Sequence, residues 1–431
     1  MEARPIKIFT SSNVPRLRYI ADLILNDILG LSWEIVTDKR KVGKSPVINY
    51  SDDNITGSVK INPVPLLFET GIKDQGIEVT EWKSLPVFFR STHDAEFPFD
   101  IFAASFYLVT RYEEYLEFSP DEHGRFRGSD SLAYRNGFLG IPVVDLWAKE
   151  LAIALVRKYQ SLAFKRNTYR YLVTADLDEP YAHAGKSLAG KIEDFIHDLA
   201  GKSHRSDSQH KGEKDPYDVF DYMLKSIETN GSDARFFFPA GNHSEFDKNP
   251  SWKSEEYRTL IAGIADKFPA GLHPSYQASF SLPSLKTEID RLRKILGKEF
   301  TASRFHYLRI SMPLSYRNLS SLGITEDFSM GFHDEPGFRA GIARPFMFYD
   351  VQEDRITSLK IFPFQLMDVT LTGYKKLTPD SARDTFSNLI SQTRKVGGLF
   401  ISIWHNTTLL DNEECRAWRE VFEYMLKEQK A

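Results

Sequence analysis

One cysteine, Cys415, stands in a chain of 431 residues. A single thiol rules out an internal disulfide and any cysteine-based zinc cluster, and it fits a reducing compartment. An excess of charge of one sign is lacking as well. The chain has 55 Lys and Arg against 59 Asp and Glu, a formal net charge of -4 and a sequence pI near 6.3. That near balance supplies no field to hold a polyanion, so neither nucleic acid nor an anionic membrane is an expected partner. No apolar run is long enough to span a membrane. The stretch MEARPIKIFTSSNVPRL has no apolar h-region and no cleavage pattern, so it does not read as a signal peptide, and a cytoplasmic protein is expected.

What is present is ordinary for a globular protein with a large core: 42% hydrophobic and 26% charged residues. The length implies two or three domains. Aromatics are plentiful, with 19 Tyr, 32 Phe and 6 Trp. Most belong in a core or a domain interface, and a few are available to stack on sugar rings.

Residues 1–165 read as a smaller α/β unit. Lys7–Thr10 is a short strand, and Ser12 or Asn13 is placed to cap the helix that follows, with Pro15 in its first turn. Leu17, Ile20, Ala21, Ile24, Leu25 and Ile28 recur at helical spacing, and Gly30 ends the run. Short strands follow at Trp33–Val36, Val47–Tyr50 and Val59–Ile61, then helices at Phe99–Leu116 and Pro142–Gln160. Arg111, Glu113 and Glu114 with Asp121, His123 and Arg125 form a charged cluster. It reads either as a site or as a surface ion-pair network on a solvated loop.

From Tyr169 the rhythm changes to strand, loop, helix. Strands are expected at 169–176, 235–239, 269–273, 301–308, 323–328, 358–370 and 398–405. Helices are expected near 186–199, 217–229, 254–267, 283–296, 313–321, 379–396 and 412–428. Such alternation implies a parallel sheet or barrel, and seven strands suit an incomplete (β/α) barrel over residues 166–431. The polar stretch 201–216, with His204 and His210, is either a disordered insertion or a lid.

The densest chemistry lies in Tyr171–Pro180, YLVTADLDEP. An apolar strand turns abruptly acidic, and Asp176 and Asp178 share a face if the strand continues. Two neighbouring carboxylates ionise together only beside a cation. The stretch reads as a catalytic strand tip or as a solvated turn. The other expected strand ends are also polar. They carry His243, His273, Arg304 with His306 and Tyr307, Asp327, Asp368 and His405. In a barrel such tips converge on one face, where active sites are built.

On these residues the region from about 165 to 431 resembles the polysaccharide deacetylase (NodB-homology) family, carbohydrate esterases with a distorted (β/α)7 barrel. Thr174 to Pro180 resembles the first motif, TFDDGP or its DxD variant. Gly271-Leu272-His273 matches the second motif, and Arg304-Phe305-His306-Tyr307 matches the third, Arg-x-Pro-Tyr, with His in place of Pro. Asp327 fits the fourth, and Leu399 to His405 the fifth. The whole chain is also similar to two-domain Bacteroidetes members, in which an uncharacterised α/β domain precedes the barrel.

The resemblance implies Asp176 as catalytic base, with Arg304 holding it and Asp327 bracing Arg304. It implies His405 as catalytic acid, and Asp178 and His273 as ligands of a divalent metal, with zinc expected. The family's second metal histidine would fall at position 277, where this chain has Gln277. Gln is a weak ligand for zinc, so the third ligand is open among Gln277, His243 and His183. The backbone N–H of Tyr307 would meet the oxyanion by family analogy. Trp404 and Asp368 are candidates for the pocket. Arg339 in GFRAG either reaches over the site or belongs to a Gly-rich turn. The implied substrate is an N-acetylated sugar or polysaccharide. The alternatives are an O-acetyl esterase using the same machinery and a degenerate, non-catalytic carbohydrate-binding protein.

Overall fold

The computed structural model describes residues 4–91, 96–182 and 215–430. The helix expected near 186–199, most of the 201–216 loop and His183 lie outside the described residues.

The N-terminal part holds a parallel sheet of β1 (Ile6–Thr10), β2 (Trp33–Val36), β3 (Val47–Tyr50) and β4 (Val59–Lys60), in the order β2-β1-β3-β4. The hairpin β5 (Thr80–Trp82) and β6 (Leu85–Val87) was not expected from the sequence. The helices are α1 (Pro15–Ala21, continued by a π-helical turn over Asp22–Ile28), α2 (Ile101–Val109), the single turn α3 (Leu132–Arg135) and α4 (Val143–Lys158). Val14, not Ser12 or Asn13, is the N-cap of α1, and its side chain makes no cap bond. The expected long helix Phe99–Leu116 stops at Val109, because Arg111 takes a left-handed conformation at φ 54°.

The C-terminal part alternates strand and helix: β7 (Arg170–Asp176), α5 (Phe220–Thr229), β8 (Ala234–Phe238), α6 (Glu255–Ala265), β9 (Ala270–Leu272), α7 (Leu282–Leu296), β10 (Ala302–Ser303), α8 (Leu314–Ser321) and β11 (Glu326–Asp327). There follow β12 (Phe346–Asp350), β13 (Arg355–Ile361), β14 (Leu366–Met367), α9 (Pro379–Lys395), β15 (Leu399–His405) and α10 (Glu413–Glu428). The sheet runs β12-β13-β11-β10-β9-β8-β7-β15-β14 and is parallel except where β12 pairs with β13. Successive strands lie side by side and β15 returns beside β7, pairing His405 with Asp176 at the strand tips.

The sheet curls. Phe237 on β8 and Phe328 just past β11 are three strand spacings apart, about 14 Å on a flat sheet, yet their ring centroids are 5.3 Å apart. Leu172, Phe237, Ala302, Phe328, Phe364, Ile401 and Ile403 form a small core on that face. The alternate residues, such as Tyr171, Phe400 and Trp404, pack into the larger helix-covered core. No ladder joins β13 to β14 among the described residues, so the sheet is not closed by hydrogen bonds.

The larger core continues across both parts of the chain. Polar bonds reinforce the seam. Arg16 meets Asp354 at 2.6 Å, Arg344 meets Asp145 at 2.6 Å, and Arg339 Nη2 meets Glu114 Oε2 at 2.6 Å. Burial alone would raise the Glu114 carboxyl, but Arg339 and Arg111 hold it below its ordinary value. No helix among the described residues is long and apolar enough to cross a membrane.

Candidate active site

Parallel strands present their C-terminal tips on one side, and the polar residues of the chain gather there. β7 ends at Asp176, which is 2% exposed. Arg304, fully buried just past β10, donates from Nη1 to Asp176 Oδ1 at 2.8 Å, from Nη2 to Thr174 Oγ1 at 2.7 Å and from Nε to the Phe328 carbonyl at 3.0 Å. With all three nitrogens engaged, the guanidinium fixes the carboxylate in one orientation. Burial pulls the Arg304 pKa below its ordinary value, against the opposing pull of Asp176.

Asp178, two residues on, meets two imidazoles. His273 Nε2 is 2.9 Å from Asp178 Oδ1, and His306 Nε2 is 3.4 Å from Asp178 Oδ2. Donor atoms of the three side chains lie within 4.8 Å of one another. Each histidine uses its other ring nitrogen. Nδ1 of His273 donates to the Arg304 carbonyl at 2.6 Å, and Nδ1 of His306 to Asp247 Oδ1 at 2.9 Å. Both Nε2 atoms are thereby turned toward Asp178, as metal-binding histidines are oriented. His273 Nε2 and Asp178 Oδ1 are buried, close and yet not aligned as a hydrogen bond. Two imidazoles and one carboxylate with convergent donor atoms, two of them without a hydrogen-bond partner among the described residues, fit a divalent cation. Without one, burial would raise the Asp178 carboxyl, but His306 and His273 hold it well below the usual carboxylate range. Burial would conversely lower His306, which Asp178 and Asp247 push up to about 10. A cation would replace that proton.

His405 closes the site. Its Nε2 lies 3.5 Å from Asp178 Oδ2 and 4.0 Å from Asp176 Oδ2. Its Nδ1 donates to Asp368 Oδ1 at 2.7 Å, and its backbone N–H to Asp368 Oδ2 at 2.7 Å. Burial would lower its pKa, but Asp368, with Asp178 and Asp176 behind it, raises it to about 9.

Several expectations change. The third member of the cluster, beside Asp178 and His273, is His306; Gln277 and His243 are exposed loop residues. Asp327 makes no hydrogen bond to Arg304 among the described residues. Its carboxylate accepts the Ser329 N–H and hydroxyl, each at 2.9 Å, and burial lifts its pKa to about 7. Asp368 is fully buried beneath His405 and does not line a pocket. Trp404 points the opposite way from His405 on β15, with its ring stacked on Phe386 and fully buried. Arg339 is 4% exposed and held in the seam by Glu114 and the Gly331 carbonyl. Tyr307 does sit beside the cluster, next to His306, with φ 59°.

A signal for His306 was present in the sequence: the motif position that departs to histidine and the position that lacks one lie on successive strand tips. Asp247, which orients His306, had no signal, lying in an irregular loop after β8.

A family of unknown function (DUF7033) matches residues 6–160. No curated protein matches the chain. Among solved structures, a candidate polysaccharide deacetylase from Mycobacterium smegmatis is 14% identical at a TM-score of 0.41, over 62% of this chain and 86% of that one. A 4-alpha-glucanotransferase from Thermococcus litoralis is 12% identical at a TM-score of 0.36, over 62% and 37% of the two chains. A candidate polysaccharide deacetylase from Pseudomonas aeruginosa PAO1 is 12% identical at 0.38, over 60% and 85%. At these scores the likenesses carry no argument about chemistry.

Proposed function

We propose that the chain is a metal-dependent carbohydrate deacetylase, with its site on a distorted (β/α)7 barrel over residues 166–431. The observation that carries the reading is the grouping of three devices at one set of strand tips. These are the Asp178–His273–His306 cluster, the Asp176–Arg304 pair and the His405–Asp368 pair. Zinc suits two imidazoles and a carboxylate.

Hydrolysis of an acetamide needs a strong nucleophile, a stabilised carbonyl oxygen and a proton for the leaving nitrogen. A divalent ion held by Asp178, His273 and His306 would supply the first two, lowering the pKa of a water toward about 7 and polarising the carbonyl. Asp176, locked by Arg304, takes the proton of the attacking water. As the carbon–nitrogen bond breaks, His405 Nε2 delivers a proton to the sugar amine, and acetate is the other product. Asp368 holds the imidazole in the tautomer that presents Nε2 and stabilises its charged form.

Incubation with zinc and an N-acetylglucosamine oligomer tests the reading. Acetate release that depends on metal and is lost in Asp176→Asn supports it. Release from O-acetyl sugars alone would make it an esterase. Metal binding without any release would make it a binding protein.

A further inference from the structure

The stretch Asp121–Arg125 belongs to the N-terminal part, yet it contacts Tyr307, the residue that follows His306. Arg125 is 5% exposed. Its Nη1 donates to the Tyr307 carbonyl at 2.8 Å, its Nη2 to the Tyr374 hydroxyl at 3.3 Å and its Nε to Asp121 Oδ2 at 2.8 Å. Asp121 accepts the backbone N–H groups of His123 and Arg125 and lies 3.3 Å from His333 Nε2. The His123 carbonyl accepts from Arg309 Nε at 2.8 Å, and its ring centroid is 4.7 Å from that of Tyr307. One short loop thus ties together the segments that follow β10, β11 and β14.

The segment after β10 matters most. His306 is followed by two residues in the left-handed region, Tyr307 at φ 59° and Leu308 at φ 54°. L-residues rarely hold that conformation unaided. From inside, the turn is held by His306 N–H to the Pro274 carbonyl, Leu308 N–H to that of Phe305 and Arg309 N–H to that of His306. From outside, Arg125 grips the carbonyl of Tyr307 itself.

We infer that Arg125 is a positioning residue for the His306–Leu308 turn, which makes the N-terminal part a structural component of the site. Its consequence for the metal rests on the ligand set proposed above; the positioning role does not. Losing the Arg125 contact frees the turn, and His306 Nε2 no longer stays within reach of Asp178.

The test uses the full chain and three variants: Arg125→Met, Arg125→Lys and Arg344→Met. Arg344 is a control in the same seam, bonded to Asp145, Asn167 and the Val396 carbonyl near the N-terminal ends of β7 and β15. Hydrogen exchange of metal-free protein is read over residues 305–310, and zinc affinity by competition with a chelator. Arg125→Met should exchange at least about tenfold faster there and hold zinc about 10- to 100-fold more weakly. Arg125→Lys should fall between, and Arg344→Met should match the wild type. Unchanged exchange in Arg125→Met would overturn the inference, as would an equal rise in Arg344→Met. A wild-type chain that binds no zinc, with exchange still faster in Arg125→Met, would overturn the ligand set and support the positioning role.

Discussion

His306 Nε2 faces Asp178 Oδ2 at 3.4 Å, from the tip of β10 across to the loop after β7. It stands where the third motif of the resembled family has proline, and the second histidine of that family's second motif would fall at the exposed Gln277. With His273 and Asp178, His306 makes a cluster of two imidazoles and a carboxylate.

Asp247 orients His306 through Nδ1. Asp247→Ala is expected to weaken zinc binding by about 10- to 100-fold without loss of fold. Chelator competition beside far-UV circular dichroism measures this. Full affinity in the variant would show that the ligand needs no second partner.

Asp368 accepts from both the ring Nδ1 and the backbone N–H of His405, the proposed acid. Asp368→Asn should lower turnover by at least about 100-fold, in the range typical of general acid–base groups, with zinc binding and KM little changed. A drop in metal affinity of similar size would place Asp368 in the metal site instead.

Arg304 and Asp176 form a buried pair, 0% and 2% exposed. Arg304→Met leaves a buried carboxylate without its cation and should destabilise the fold by roughly 3–5 kcal/mol. Adding Asp176→Asn removes the orphaned charge and should recover part of the loss. Urea unfolding of the two variants decides it; additive losses would speak against the pairing.

Glu288 on α7 accepts from the Ser275 N–H at 2.9 Å and from the Ser275 hydroxyl, bracing the loop behind His273. Burial, opposed by Ser275, raises its pKa from 4.5 to about 7. The folded state therefore binds this proton more tightly than the unfolded chain does. Stability from this group is present below about pH 4.5 and declines as pH rises through 7. Glu288→Gln should remove that slope, so its melting temperature gains on the wild type between pH 5 and pH 8. A constant difference across that range would contradict the assignment.

Much of this was legible in particular residues. The apolar runs ending in Asp176 and His405 read as strands, and both are strands. That the two residues are Cα partners follows from β15 returning beside β7, a pairing across the chain that local pattern does not encode. Asp368 reads as a pocket residue until β14 is known to lie beside β15. Arg339 needed the same kind of long-range knowledge, since its partner Glu114 comes from the other part of the chain. Trp404 was decidable in advance: next to His405 on one strand, it must face the other way. His306 was visible as a departure, but the direction of its ring depends on a left-handed turn at two non-glycine residues, which composition does not announce.

The most direct measurement is zinc stoichiometry by isothermal titration of three full-length proteins: wild type, His306→Ala and Gln277→Ala. The ligand set predicts one equivalent in the wild type and in Gln277→Ala, and none in His306→Ala. One equivalent retained in His306→Ala, or none in the wild type, would contradict it.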